Sequence, residues 1–316
     1  MFDRIISLEN LFDAWREFKR GKMKKQDVQV FGLNIEDQLF QLHEDLKCGA
    51  YRHGPYERFF VHDPKRRLIN KATVRDRVLH HAVFRILEPL FDRTFIFDSW
   101  SCRTRKGHHH AVERFHEMAW GLSRNNKRTV WVLKLDIKNY FASVRHDFLV
   151  RLLKRRISDD ATMHLLENII GSYDPGLPLG NVTSQLFANI YLNELDQFVK
   201  HVLIQRIYLR YCDDMILVGI NRTMLVKFVA RLSEFVSFSL AVSFHPKKIL
   251  LQSWHGGVDV LGYISFPYYR LLRTTTKQRL LKRITERNAA SYRGLLHGVR
   301  ARRLREMLRE RYDDCV

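Results

Sequence analysis

Apolar positions change their spacing several times along the chain, and each change predicts an element. Leu11, Trp15 and Phe18 recur at helical intervals, as do Ile35, Leu39, Leu42 and Leu46, so residues 1–50 are expected to form helices that scaffold a core. Between them, Lys19-Arg-Gly-Lys-Met-Lys-Lys25 reads as a basic loop. Residues 56–61 and 67–69 read as paired strands joined through Asp63-Pro64, and residues 74–90 as a helix with Val78, Ala82, Ile86 and Leu90 on one face. From residue 129 the period becomes two: Trp131, Leu133 and Leu135 put the larger apolar groups on one side of a strand, and Asp136 leaves on the other. Residues 146–170 read as helical, 173–180 as a Pro- and Gly-rich loop, and 183–202 as a long amphipathic helix. Short apolar runs at 207–211 and 215–218 predict a hairpin around Asp213-Asp214. A helix over 224–238, a strand over 240–244 and a hairpin over 258–264 follow, then a tail with one basic and one apolar face.

Composition narrows the class. The chain has 316 residues, 46% of them hydrophobic, enough for a sizeable core, and a formal net charge of +20. A chain this basic is expected to meet a polyanion, and nucleic acid outranks a membrane surface because no amphipathic anchor is visible. The apolar window 226–244 contains Lys227, Arg231 and Glu234 and cannot span a bilayer. No secretory leader is expected from Met1-Phe-Asp-Arg, and cysteines at 48, 102, 212 and 315 form no Cys-x-x-Cys pair, which fits a reducing cytoplasm. Cys102 and the run His108-His-His110 do not make a zinc site, because adjacent side chains diverge on any regular element.

The candidate chemistry lies in carboxylates. An acidic pair at a hairpin tip is either a turn that happens to be acidic or a cation site, since two like charges repel unless a cation lies between them. Asp136 is either a helix cap or a third ligand. Taken together, one carboxylate from a strand and two from a hairpin suit a pair of magnesium ions about 3.5–4 Å apart. Such a pair activates a primer 3′-hydroxyl and stabilises the pyrophosphate leaving a nucleoside triphosphate.

These stretches, with others in the same order, resemble the reverse transcriptases. The likeness runs from about residue 33 to about residue 269 and rests on Pro64-Lys-Arg-Arg-Leu-Ile69, Val74-Arg-Asp-Arg-Val-Leu79, Leu135-Asp-Ile-Lys-Asn-Tyr-Phe141, Gly176-Leu-Pro-Leu-Gly180, Tyr211-Cys-Asp-Asp214, Pro246-Lys-Lys248 and Leu261-Gly-Tyr263. Leu179-Gly-Asn-Val-Thr-Ser-Gln185 is similar to the diversity-generating retroelement branch, because group II intron and many other bacterial enzymes carry Gln-Gly-x-x-x-Ser-Pro there.

The resemblance implies an α+β right-hand polymerase with a split βαβ antiparallel palm. An N-terminal segment and the fingers would occupy 1–88, a first part of the palm 89–141, a fingers/palm connection 142–180, the palm with its hairpin and primer grip 181–264, and a short basic thumb 265–316. It implies RNA-directed DNA synthesis, error-prone at template adenines. Asp136, Ile137, Asp213 and Asp214 would hold two Mg²⁺ ions, with Mn²⁺ as a substitute. Lys248, or its neighbour Lys247, would protonate pyrophosphate. Lys65, Arg67, Arg75, Phe141, Leu179 and Gly180 would contact the nucleotide, Phe141 as a gate against the ribose 2′-hydroxyl. Tyr211, Gln185, Leu261, Gly262 and Tyr263 would contact primer and template. Implied partners are template RNA, primer or cDNA, dNTPs and a small basic accessory protein. Two rivals stay open: another bacterial reverse transcriptase, of the phage-defence or group II intron kind, and a non-catalytic basic RNA-binding scaffold.

Overall fold

The computed structural model describes residues 1–62 and 66–312. At the N-terminus, α1 (Phe2–Ile6), α2 (Leu8–Lys19), α3 (Gln26–Leu33) and α4 (Ile35–Lys47) gather around α5 (Val74–Asp92). The apolar stripe of α2 buries Leu11, Ala14, Trp15 and Phe18, and its N-terminus is capped by the Ser7 hydroxyl accepting from the Asn10 amide. The Asn10 side chain donates to the carbonyls of Ile5 at 2.9 Å and Ala82 at 3.1 Å, which ties α1 and α2 to α5. The strands β1 (Glu57–Val61) and β2 (Arg67–Lys71) form the expected antiparallel hairpin.

The centre is a four-stranded antiparallel sheet in the order β4-β5-β3-β6, with β3 at Trp131–Asp136, β4 at Tyr208–Tyr211, β5 at Asp214–Gly219 and β6 at Leu250–Ser253. The alternation in β3 predicted one face rich in large apolar groups. Both faces prove to be covered: Leu133, Leu135, Met215 and Leu217 join the larger core, while Val130, Val132, Leu209, Ile216 and Val218 join a second core with Phe115 and Trp254. Helices therefore lie on both sides, with α10 (Val182–Gln197), α11 (Arg222–Leu240) and α5 against one core and α6 (His108–Ser123) against the other. The result is the antiparallel α+β architecture that the resemblance implied.

The hairpin between β4 and β5 is held from behind by a buried ion pair. Arg210 and Asp196 are both fully buried, with Arg210 Nε 2.8 Å from Asp196 Oδ1 and Nη2 2.7 Å from Oδ2. The Tyr208 hydroxyl also donates to Asp196 at 2.7 Å, and the remaining Arg210 Nη1 donates to Asn189 Oδ1 and to the Cys212 carbonyl, each at 3.1 Å. One side chain thus links α10 to the turn that carries the acidic pair. Cys212 takes the left-handed region there, at φ 55°, as a two-residue hairpin loop demands.

Three local readings need correction. The helical stretch 146–170 is two helices, α8 (His146–Lys154) and α9 (Asp160–Gly171), because Asp159 starts a new helix by accepting from the Thr162 amide. The helix after residue 183 ends at Gln197 and passes into a wider π turn, Phe198–Val202. No strand spans 240–244: α11 continues to Leu240, Ala241 ends it at φ 51°, and Phe244 alone pairs, with Ile137. Val242 and Phe244 are buried by alternation, which is why the stretch looked like a strand.

After β6, the strands β7 (Val258–Val260), β8 (Tyr263–Ser265) and β9 (Arg270–Leu272) form a small sheet that adds a third strand to the expected hairpin. Helices α12 (Thr274–Arg283), α13 (Glu286–Leu295) and α14 (Arg302–Tyr312) follow.

Removing either partner of the buried pair leaves an uncompensated charge in the core. Arg210→Ala or Asp196→Ala is expected to lower unfolding free energy by about 3–5 kcal/mol, read from the midpoint of a urea titration.

Candidate active site

A cleft of about 1330 Å³ opens over the carboxylate end of the sheet. Asp136, the last residue of β3, stands in register opposite Asp214, the first of β5, and Asp213 occupies the turn beside them. The pairing that satisfies the backbone therefore brings these residues to the same wall of the cleft. Burial, reinforced by the Asp136 charge, raises the pKa of Asp213. Burial and then the charges of Asp213 and Asp136 push Asp214 up to about 6.

Two cations answer this charge. The Lys248 ammonium lies 2.5 Å from Asp136 Oδ2, and Lys134, on the same face of β3 as Asp136, has its pKa lowered chiefly by burial. Among the described residues no three His, Cys, Asp or Glu side chains already converge tightly enough to hold a metal ion. The Lys248 ammonium stands where a cation would meet Asp136. The donor set nevertheless suits a hard divalent ion: the ligands are carboxylate oxygens, two of them with pKa values raised by burial and by each other, and a cation between them relieves that repulsion.

The loop before α10 completes the cleft. Gly176 has φ 73°, and a Cβ there would stand 2.2 Å from the Phe141 carbonyl, so only glycine allows the loop to pass beneath the short helix α7 (Tyr140–Ser143). The Asn70 amide donates to the Leu179 carbonyl at 3.0 Å, which fastens this loop to β2. Gly180, at φ 123°, fits against Ile69.

Of the residues singled out in the sequence, the structure brings Asp136, Ile137, Asp213, Asp214, Lys248 and Arg67 to the cleft wall. Phe141, Leu179, Gln185 and Tyr211 join them, as do Leu261, Gly262 and Tyr263. Gly180 and Lys247 are not among the lining residues. Arg75 is not either: its guanidinium pairs with Asp45 and lies over the Tyr51 ring. Lys65 falls outside the described residues. Arg103 does not face the cleft: its guanidinium is buried against Asp92 at 2.5 Å and the carbonyls of Ile96 and Ser99 at 2.8 Å.

His108 is a cleft residue that sequence reasoning considered only as a metal ligand. Its Nε2 lies 2.5 Å from the Leu261 carbonyl oxygen, so that nitrogen carries the proton and donates. Its ring sits 6.2 Å from Tyr211 edge to face and 5.4 Å from Tyr263. Leu261 has φ 50° and Gly262 φ 92°, a two-residue turn in which the leucine is strained, and the histidine holds its carbonyl. Helical spacing from His108 to Val112 and Phe115, on the packed side of α6, was the available signal. Across the cleft, α12 contributes Thr275, Thr276, Gln278, Arg279, Lys282 and Arg283.

Residues 62–265 match the family described as reverse transcriptase (RNA-dependent DNA polymerase). The chain is 32% identical over 179 residues to protein YkfC of Escherichia coli, covering 53% of this chain and 46% of that protein. It is 28% identical over 178 residues to the group II intron-encoded protein LtrA of Lactococcus lactis, covering 52% of this chain and 28% of that protein. The matches thus span less than half the length of these relatives. Among solved structures, telomerase from Candida albicans in complex with a fragment of telomeric RNA superposes with a TM-score of 0.53 at 12% identity, over 70% of this chain and 47% of that one. Telomerase from Candida tropicalis, also with a telomeric RNA fragment, gives 0.52 at 12% identity, over 67% and 43%. At that identity the likeness concerns the fold. With the family profile covering well over half of its residues and the carboxylate hairpin in place, this chain belongs to the reverse transcriptase family.

Proposed function

We propose that the protein extends a primer with deoxynucleotides along an RNA template. The observation that carries this reading is the convergence of Asp136, Asp213 and Asp214 at paired strand ends beneath a cleft walled by a basic helix. Those carboxylates would hold two Mg²⁺ ions, which supply Lewis acidity for the primer 3′-hydroxyl and charge stabilisation for the departing pyrophosphate. Lys248, held at Asp136, would give a proton to that leaving group. Arg67 would bind the triphosphate through charge-assisted hydrogen bonds, and Phe141 would crowd a ribose 2′-hydroxyl. The turn Leu261-Gly262, held by His108, would seat the primer end, with Tyr211 and Gln185 beside it.

The finer reading is a mutagenic enzyme of a diversity-generating retroelement, and Leu179 with the Ser184-Gln185 pair supports it. An apolar side chain at 179 offers the incoming nucleotide no hydrogen bond, so positioning and discrimination weaken. The small basic accessory protein implied by the motif would meet this +20 chain through shared nucleic acid, because two basic surfaces repel.

Primer extension on RNA is expected to fall at least about a hundredfold in Asp136→Asn and Asp213→Asn, and to stop on adding EDTA, while circular dichroism stays unchanged. Undiminished extension in either variant rejects the assignment. His108→Ala should raise the KM for primer-template about tenfold while leaving that for dNTP alone, and His108→Gln, whose amide can still donate to Leu261, should restore it. Sequencing cDNA made on one template should show roughly ten- to a hundredfold fewer errors in Leu179→Gln, chiefly opposite adenine. Identical spectra would favour an ordinary intron-type enzyme.

A further inference from the structure

Outside the cleft, two segments without a single acidic residue meet at the far end of the central sheet. Residues 118–135 and 260–285 contain no Asp or Glu, and the fold joins them where the Asn126 side-chain amide donates to the Tyr268 hydroxyl at 3.1 Å. Eight residues of extended chain separate Arg128 from Asp136, which puts this junction roughly 25 Å from the carboxylates.

Tyr268 is 72% exposed, yet it is not loose. Its hydroxyl is held by Asn126, and its ring stands edge to face with Trp120 at 5.6 Å. Trp120 in turn stacks on His116 at 6.2 Å with an interplanar angle of 9°, and His116 Nε2 is 3.0 Å from the Pro267 carbonyl. An exposed aromatic pinned by its edge and its tip presents an open face at little entropic cost.

Around it, Arg124, Asn125 and Asn126 take three consecutive left-handed conformations, at φ 51°, 56° and 66°. That tight coil leaves Arg124, Lys127 and Arg128 exposed on one loop. These cations make no ion pair among the described residues, whereas Arg77, Arg85, Arg114 and Arg155 elsewhere on the surface are each matched by an acid. The nearest acidic residue along the chain, Glu117, faces Arg114 at 3.6 Å. Unpaired cations around a fixed, open aromatic face are what a nucleic-acid strand with unstacked bases requires, since every base has a π face and every phosphate a charge.

We propose that Tyr268, with Arg124, Lys127 and Arg128, forms a second binding site for single-stranded nucleic acid. A base stacks on the Tyr268 ring and neighbouring phosphates meet the three cations. The site holds strand that lies outside the cleft, so it changes the grip on long nucleic acid and not the chemistry of extension.

The test uses the full chain saturated with an unlabelled self-priming RNA hairpin whose 5′ end overhangs by only a few template nucleotides, so that the cleft is filled and the 3′ end can still be extended. Fluorescein-labelled oligo(U) and oligo(dT) are then titrated in, and anisotropy is read. Binding should weaken about tenfold in Tyr268→Ala and persist in Tyr268→Phe, which keeps the ring. In the variant with Arg124, Lys127 and Arg128 all changed to Gln, the slope of log K against log salt should fall by about 2. Extension of the hairpin should equal that of the parent in every variant. A preference for oligo(U) assigns the site to RNA, and equal affinities assign it to either strand. Binding unchanged within twofold in both Tyr268→Ala and the triple variant overturns the proposal, as does equal loss in Tyr268→Phe. Slowed hairpin extension would put these residues in the work of the cleft, and equally tight binding of poly-glutamate would make the surface a general anion patch; either result also overturns it. The binding readout needs no catalysis, so its outcome is separate from that of the polymerase assays.

Discussion

The ion pair between Arg210 and Asp196 is the constraint on which the rest of the site depends. A guanidinium and a carboxylate with no exposure to water are costly to bury, and they persist here because every nitrogen and oxygen of the pair has a partner. Asp196 takes two hydrogen-bonding partners, Arg210 and Tyr208, and the spare Arg210 nitrogen reaches Asn189 and the Cys212 carbonyl. Asn189 in turn donates to the Ser101 carbonyl at 2.9 Å. Helix α10, the segment before α6 and the acidic hairpin are therefore one hydrogen-bonded unit. A turn that sets Asp213 beside the paired Asp136 and Asp214 is electrostatically unfavourable, and this unit braces it from behind.

That rigidity has a counterpart in the cation arrangement at the cleft. Lys248 touches Asp136, and Lys134 donates to the Asp259 carbonyl, while the Asp259 carboxylate holds Arg273 at 2.5 Å. The carboxylates, the small sheet and the start of α12 are thus bridged through polar contacts of Lys134, Asp259 and Arg273. His108 adds a link between the hairpin tyrosine and the turn at Leu261. Separate elements of the chain meet over the carboxylates through side-chain contacts, so the cleft is shaped in advance of any substrate.

Charge is also distributed by purpose. Around α5, Arg77 pairs with Asp27 and Arg85 with Asp13, so these cations brace the N-terminal helices to one another. The cations of α12, and those of the loop after α6, lie instead on stretches without acidic residues. The net charge of +20 is therefore not a uniform coat: part of it is matched by acids within the protein, and part lies on segments that carry no acidic residue.

Much of this was legible in the residues. Period-two alternation located β3, the brief apolar runs located β4 and β5, and like-charge repulsion singled out Asp213 and Asp214 as candidate cation ligands, because those signals come from nearest neighbours along the chain. The resemblance through ordered motifs extended the reading to the palm, to Lys248 and to the turn at Leu261. What the sequence could not decide depends on contacts between distant segments. It could not show that Arg75 would be taken up by Asp45 and Arg103 by Asp92, since a charge has the same letter whether it faces a phosphate or a carboxylate. Nor could it show that the stretch from 240 to 244 would end a helix, because burial by alternation occurs without a strand. The placement of His108 over Leu261, and of Asn126 against Tyr268, joins residues more than a hundred positions apart, and only packing in three dimensions brings them together.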